Sequence, residues 1–355
     1  MRAQGSTSTS HNRQRTARRL GAGVLSVALV ALSVGCGPAP GPKAPGNPPP
    51  LDDNAQSAGG GGGGGPVVKA SSAKVQQGID AIQAKDFAKA KSVLTEAHTA
   101  DPEDPQAAFY LGVANEGLGD GQSAADLYRQ ALKLDPKLLQ ASMNLSALLL
   151  DMKQPAEAVK VVKAGLASAP KDPGLLMNLA LATEAAGDKP GAIKAYADAV
   201  AAQPKNMELR FAYAENLAAS GKGDEAAQQL GQVVSDDPKL LAATGDLYAR
   251  LHKFSECVGA LDKAIQAKDL PGLHVLRGRC RHGMKDAAGE KADYEAALKL
   301  DDKLAAPHFY LGQLYKSQGK KKAAVAEFKK AAELGAGKKV GAAAKKAIAA
   351  IKSGK

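Results

Sequence analysis

From residue 71 onward the apolar positions follow a helical rhythm, and the rhythm itself recurs every 34 residues. One column of the pattern is small: Gly78, Gly112, Ser146, Ala180, Ala214, Gly245, Gly278 and Gly312. A second is alanine at Ala90, Ala124, Ala158, Ala192, Ala226 and Ala324, with Cys257 and Glu290 in the equivalent places. A third, four residues on, is bulky: Leu94, Tyr128, Val162, Tyr196, Leu230, Leu261, Tyr294 and Phe328. Prolines stand 34 residues apart at Pro102, Pro136, Pro170, Pro204 and Pro238. The spacing predicts eight helix–turn–helix units, over 71–104, 105–138, 139–172, 173–206, 207–237, 238–270, 271–304 and 305–338. Gly119, Gly187, Gly221 and Gly319 are expected at the turn inside a unit. The fifth and sixth units are short, at 31 and 33 residues, and the seventh departs most because Glu290 replaces its alanine. The superhelix is expected to bend or loosen there. Residues 340–352 read as one more helix, covering the face the eighth unit would otherwise expose.

Composition agrees with an all-α chain. Aromatics make up 4% of the residues and Trp is absent, whereas sheets lean on aromatic and β-branched side chains. The columns resemble the tetratricopeptide repeat, with its small residue in the first helix and its Ala, bulky residue and Pro in the second. That resemblance implies a right-handed α-solenoid of about eight repeats with a C-terminal capping helix. Small residues are expected where the two helices of a repeat cross, the small column meeting the alanine column. The bulky column should then fill the space between neighbouring repeats, and proline should close each unit because it cannot continue a helix.

The chain before residue 71 reads differently. Five arginines precede an apolar run from Leu20 to Val34 that ends in Gly35-Cys36. The run is shorter than the roughly 20 residues that span a bilayer, so 1–35 reads as a secretory signal. Leu32-Ser33-Val34-Gly35-Cys36 resembles the lipobox of bacterial lipoproteins, which implies acylation of the Cys36 thiol and cleavage before it. Gly37 after the cysteine favours the outer membrane, facing the periplasm. Residues 36–70 are Pro-rich, then Gly-rich, and read as a tether spanning roughly 30 Å as a loose coil. The ordered body would be 71–338, with a Lys-rich cap and tail over 339–355.

The net charge of +11 is carried at the ends: residues 1–35 hold +5 and 316–355 hold +10, which leaves 36–315 at −4. A basic groove for nucleic acid is not what this distribution describes. The sequence has no GxSxG, HExxH, phosphate-loop or dinucleotide fingerprint, so neither an enzyme nor a cofactor is expected. His274 and His282 lie eight apart without a third ligand, which makes a poor metal site. Asp236-Asp237 and Asp301-Asp302 fall at unit boundaries, where Asp suits a turn. Cys257 and Cys280 lie on adjacent predicted helices, where either a disulfide or two buried thiols would fit.

In the family this chain resembles, the concave groove is lined by the first helix of each repeat. Carried over, the groove presents Phe109, Val113, Met143, Asn144, Ala147, Met177, Asn178, Leu181, Phe211 and Glu215, with asparagines for a peptide backbone and Met and Phe for its apolar side chains. The expected function is a lipid-anchored scaffold binding protein partners and helping to assemble or stabilise a cell-envelope complex. The alternative is a regulatory module that sequesters a soluble enzyme or a chaperone client. The Lys-rich end reads either as a solvated cap or as a contact for anionic lipid, cell-wall polymer or an acidic partner.

Overall fold

The computed structural model describes residues 70–353. The signal-like segment, Cys36 and the tether up to residue 69 lie outside the described residues. Seventeen α-helices and no strands occur among the described residues. They pair as α1 (Ala73–Gln83) with α2 (Phe87–Ala100), α3 (Pro105–Gly117) with α4 (Gly121–Leu134), and α5 (Leu139–Asp151) with α6 (Pro155–Ser168). Next come α7 (Pro173–Ala185) with α8 (Lys189–Ala202), α9 (Met207–Ala219) with α10 (Gly223–Leu230), and α11 (Pro238–Arg250) with α12 (Phe254–Ala267). The last pairs are α13 (Pro271–Gly283) with α14 (Ala287–Leu300) and α15 (Ala305–Ser317) with α16 (Lys321–Leu334), followed by the single helix α17 (Lys339–Lys352). Each helix packs mainly on those before and after it, and α17 closes the stack on α16.

Every side chain of the alanine and bulky columns is buried, including Tyr128, Tyr196, Tyr294 and Phe328. Their contacts differ from the steric expectation. A Cβ on Gly112 would stand 2.7 Å from the Tyr128 ring, one on Gly245 2.7 Å from Leu261, and one on Gly312 2.7 Å from Phe328. The small residue is therefore kept small by the bulky side chain of its own repeat. The bulky column lies over the first helix of its repeat before it reaches the next one.

The turns inside the repeats share one conformation. Gly119, Gly187, Gly221 and Gly319 have φ between 73° and 82°, and the equivalent Lys85, Lys153, His252 and Lys285 lie between 58° and 62°. Those four carry a side chain in the left-handed region, where L residues are disfavoured. The tertiary packing imposes the turn whether or not glycine is there to ease it. Aspartates follow to cap the second helices: Asp86, Asp120, Asp188 and Asp286 each accept a hydrogen bond from a first-turn N–H.

The fifth repeat breaks the pattern, and its length explains how. In the first four repeats eleven residues separate the bulky side chain from the start of the next helix; from Leu230 to Pro238 there are eight. An extended chain covers about twice the distance per residue that a helix does. The end of α10 is therefore unwound: α10 has 8 residues where the other second helices have 14. Arg210 fastens the shortened end, donating to Gln229 Oε1 at 2.9 Å, Gln232 Oε1 at 2.8 Å and the Pro204 carbonyl at 3.1 Å. Consequently α10 barely touches α11. Pro238 also changes role: Pro102, Pro136, Pro170 and Pro204 follow a helix, whereas Pro238 opens α11 at its first turn.

Candidate functional site

The first helices of successive repeats lie side by side, and the ten residues expected to line their inner face divide by burial. Phe109, Val113, Met177 and Phe211 are buried in the hydrophobic clusters between helices. Asn144 is also buried, and its amide donates to the Tyr128 hydroxyl at 3.3 Å. Asn178 is 0% exposed and donates to Ser146 Oγ at 2.9 Å and the Met143 carbonyl at 3.1 Å. These six side chains are each less than a tenth exposed and leave little surface for a ligand. Neighbouring alanine-rich helices approach closely enough to cover them. Met143, Ala147, Leu181 and Glu215 are half-buried and remain accessible.

What the inner face does present is acidic. Glu116, Asp151, Glu184, Glu215 and Asp246 come from five successive first helices, α3 to α11. Glu116 and Glu215 are held above the usual carboxylate range, chiefly by burial. Asp151 adds repulsion at Glu116, and Glu184 and Asp246 add it at Glu215. Arg250 partly offsets the charge, lying 3.3 Å from both Glu215 and Asp246. Where α7, α9 and α11 meet, a hollow of about 350 Å³ is lined by Glu184, Glu215, Asn216 and Arg250, with Ala218, Ala219, Leu247 and Leu251 as its apolar wall.

Two of these carboxylates have a structural reason that the sequence contained. A buried tyrosine hydroxyl needs a partner. Tyr128 donates to Glu116 at 2.6 Å and Tyr196 to Glu184 at 2.5 Å. Burial, followed by the neighbouring glutamate, raises both phenol pKa values well above normal. Where the bulky column is aliphatic, the equivalent partner is apolar: Ile82 with Leu94, Leu150 with Val162, Ala218 with Leu230. The seventh repeat solves the same problem from the other helix. Its Tyr294 faces the buried Glu290, whose charge helps raise the phenol pKa after burial itself, and Glu290 pairs with His282 at 3.0 Å. The residue that made this repeat look weakest thus serves the tyrosine beside it.

The sixth and seventh repeats also hold a polar core. Asp293, 1% exposed, accepts from Arg277 Nη2 at 2.5 Å and Nε at 3.0 Å, with Arg281 Nη1 at 3.3 Å. Arg277 reaches Asp262 at 2.6 Å, and His274 Nε2 lies 2.7 Å from Asp269. Partial burial works against the Arg277 charge, but Asp293 and Asp262 outweigh it and raise its pKa. A disulfide joins Cys257 on α12 to Cys280 on α13, with Cα atoms 6.2 Å apart. Among the described residues no group of three or more His, Cys, Asp or Glu is placed to hold a metal ion. Asp237 caps α11 and Asp301 ends α14, each accepting from a backbone N–H two residues on. None of the described helices is long and apolar enough to cross a membrane.

Stacked helix pairs with one shared steric signature define an α-solenoid whose accessible surface is a face, not an enclosed cleft. Tetratricopeptide-repeat family models match residues 75–235 and 308–334. The chain belongs to the tetratricopeptide-repeat family. Protein O-mannosyl-transferase TMTC1 from Homo sapiens is 28% identical over 156 residues, 40% of this chain and 17% of that protein. The Mus musculus protein of the same name is 28% identical over 145 residues, 38% of this chain and 15% of its own length. The chain thus spans about a sixth of the curated relatives it matches. Among solved structures, MamA 41-end from Desulfovibrio magneticus RS-1 is 26% identical, with 46% of this chain and 95% of that chain covered at a TM-score of 0.43. YrrB, described as a TPR protein with an unusual peptide-binding site, is 21% identical, with 54% and 97% covered at 0.44.

Proposed function

We infer that this protein is a non-catalytic scaffold whose inner helical face binds a protein partner through a Lys- or Arg-bearing segment. The acidic inner face carries the reading: five carboxylates on successive first helices against one arginine, beside a hollow with an apolar wall. Like charges kept at this spacing repel, and a cationic side chain laid among them relieves that repulsion. The wall of Leu247 and Leu251 suits an apolar neighbour in the same peptide. The test uses a labelled peptide of alternating lysine and leucine and its counterpart with glutamate for lysine. The lysine peptide is expected to bind at least tenfold more tightly. Glu184→Gln with Glu215→Gln and Asp246→Asn should remove about that factor while leaving an acceptor for the Tyr196 hydroxyl. Equal binding by parent and variant would move the partner site off this face.

The scaffold would act from the cell envelope, lipid-anchored at Cys36 and helping to assemble or stabilise an envelope complex. The lipobox-like Leu32–Cys36 supports the anchor, and the Cys257–Cys280 bond supports an oxidising compartment. Cys36→Ser is expected to shift the protein from the membrane to the soluble fraction, or to leave it uncleaved. A variant that still matures and sediments with membranes rules out acylation at that thiol.

A further inference from the structure

The last two helices carry a surface that the inner-face reading does not use. On α17, Lys339, Lys345, Lys346 and Lys352 are all exposed, and the helix has no acidic residue. Steps of seven residues, close to two helical turns, align Lys345 with Lys352 and Lys339 with Lys346, so the four occupy one broad stripe. The opposite side of α17 is spent on packing, with Val340 and Ala344 buried and Ile348 and Ile351 against the cluster of Phe328 and Ala332. The neighbouring α16 adds exposed Lys321, Lys322, Lys329 and Lys330. Among the described residues, Lys330 alone of these eight lysines makes an ion pair, 3.6 Å from a Glu327 that is already 2.6 Å from His308.

The junction of the two helices is hollow. A space of about 390 Å³ is lined by Lys338, Lys339 and Lys345, with Gly337, Gly341 and three alanines as its small-residue wall. Lys338, the N-cap of α17, makes no side-chain capping bond, so no side chain of the cap competes for the positive end of the helix there. Leu334, the last residue of α16, is 39% exposed. The surface therefore combines a lysine stripe with a hollow roomy enough to admit a small anionic group.

We propose that the outer face of α16 and α17 is a docking surface for an anionic phospholipid membrane, with the hollow at the α16–α17 junction seating a lipid phosphate. A bilayer fits better than nucleic acid. Residues 316–355 contain no arginine, the side chain that reads guanine in pairs of hydrogen bonds. No aromatic side chain lies on the outer face of either helix for a base to stack on. Lysines spread over two adjacent helices match a surface of diffuse negative charge, to which each basic residue adds a similar increment. This contact is independent of acylation at Cys36, because the lysines lie at the opposite end of the chain.

The experiment uses the full chain carrying Cys36→Ser and sedimentation with vesicles of phosphatidylglycerol in phosphatidylcholine, against phosphatidylcholine alone. Binding is expected only to the anionic vesicles and should fall as salt rises. Lys339→Gln, Lys345→Gln, Lys346→Gln and Lys352→Gln together should weaken it by at least tenfold. Removing the same charge elsewhere, with Lys160→Gln, Lys163→Gln, Lys171→Gln and Lys189→Gln, should change it less than about twofold. All eight residues are exposed, so folding should persist in both variants. Equal loss in the two sets would reduce the effect to net charge and overturn the proposal. So would undiminished binding in the α17 variant, or duplex DNA displacing the vesicles from the same lysines.

Discussion

Asp293→Leu is expected to destabilise the seventh and eighth repeats by about 1–3 kcal/mol, because it takes the buried carboxylate away from the half-buried Arg277. Asp293 is the hub of the polar core, taking hydrogen bonds from two nitrogens of Arg277 and an ion pair from Arg281. With the carboxylate gone, Arg277 keeps Asp262 but loses the partner inside the stack. The damage should stay local, because each repeat of a solenoid touches only its neighbours. Hydrogen exchange should therefore show α13 and α14 opening while α3 to α8 keep their protection. Asp293→Asn retains an acceptor and should fall between the parent and the leucine variant. Adding Arg277→Met to Asp293→Leu should restore much of the loss, since an apolar pair of similar size replaces the ion pair. If Asp293→Leu exchanges like the parent to within about 0.5 kcal/mol, the cluster is not what holds these repeats together.

Breaking the Cys257–Cys280 bond should cost about 3 kcal/mol, the chain entropy released when a loop of this size is opened. The two cysteines are 23 residues apart and join the sixth repeat to the seventh. Both are buried, so reduction leaves two packed thiols and isolates the effect of the link from the effect of packing. In a Cys36→Ser background, treatment with a phosphine reductant should lower the denaturant midpoint of the C-terminal repeats and leave the N-terminal ones unmoved. Thiol labelling under denaturing, non-reducing conditions provides the independent check. No reactive thiol is expected before reduction and two after it; two at the outset would show that the cysteines are not joined.

Much of the fold was legible because repetition multiplies a weak signal. One small residue or one alanine says little, but eight small residues and six alanines in register define the helix pairs, and the left-handed turns fall where the four glycines predict. The other four turns were hidden, since Lys85, Lys153, His252 and Lys285 carry no mark of the conformation they adopt. The missing residues of the fifth repeat could be counted, but not their consequence. Whether a short repeat bends the stack, slides it or unwinds a helix depends on the distance its ends must span. That distance belongs to the neighbours, and here it unwound α10 and turned Pro238 into a helix opener.

The site shows the same division more sharply. Family positions placed Phe109, Val113, Asn144, Met177, Asn178 and Phe211 on the groove, and the packing of adjacent repeats took them inside. Accessibility is a property of the gap between helices, and a pattern along one helix does not contain it. The Glu116–Tyr128 and Glu184–Tyr196 pairs were readable in principle, because these two tyrosines have a glutamate twelve residues before them where the aliphatic members of the column have an apolar residue. By itself the sequence determined the helices, their pairing and the columns of the core, which depend on local periodicity and on steric rules that act within one repeat. Only the tertiary structure decided which polar groups face solvent together, which cysteines meet and where the stack loosens. Those outcomes turn on the distances between helices of neighbouring repeats, which no pattern along a single helix contains.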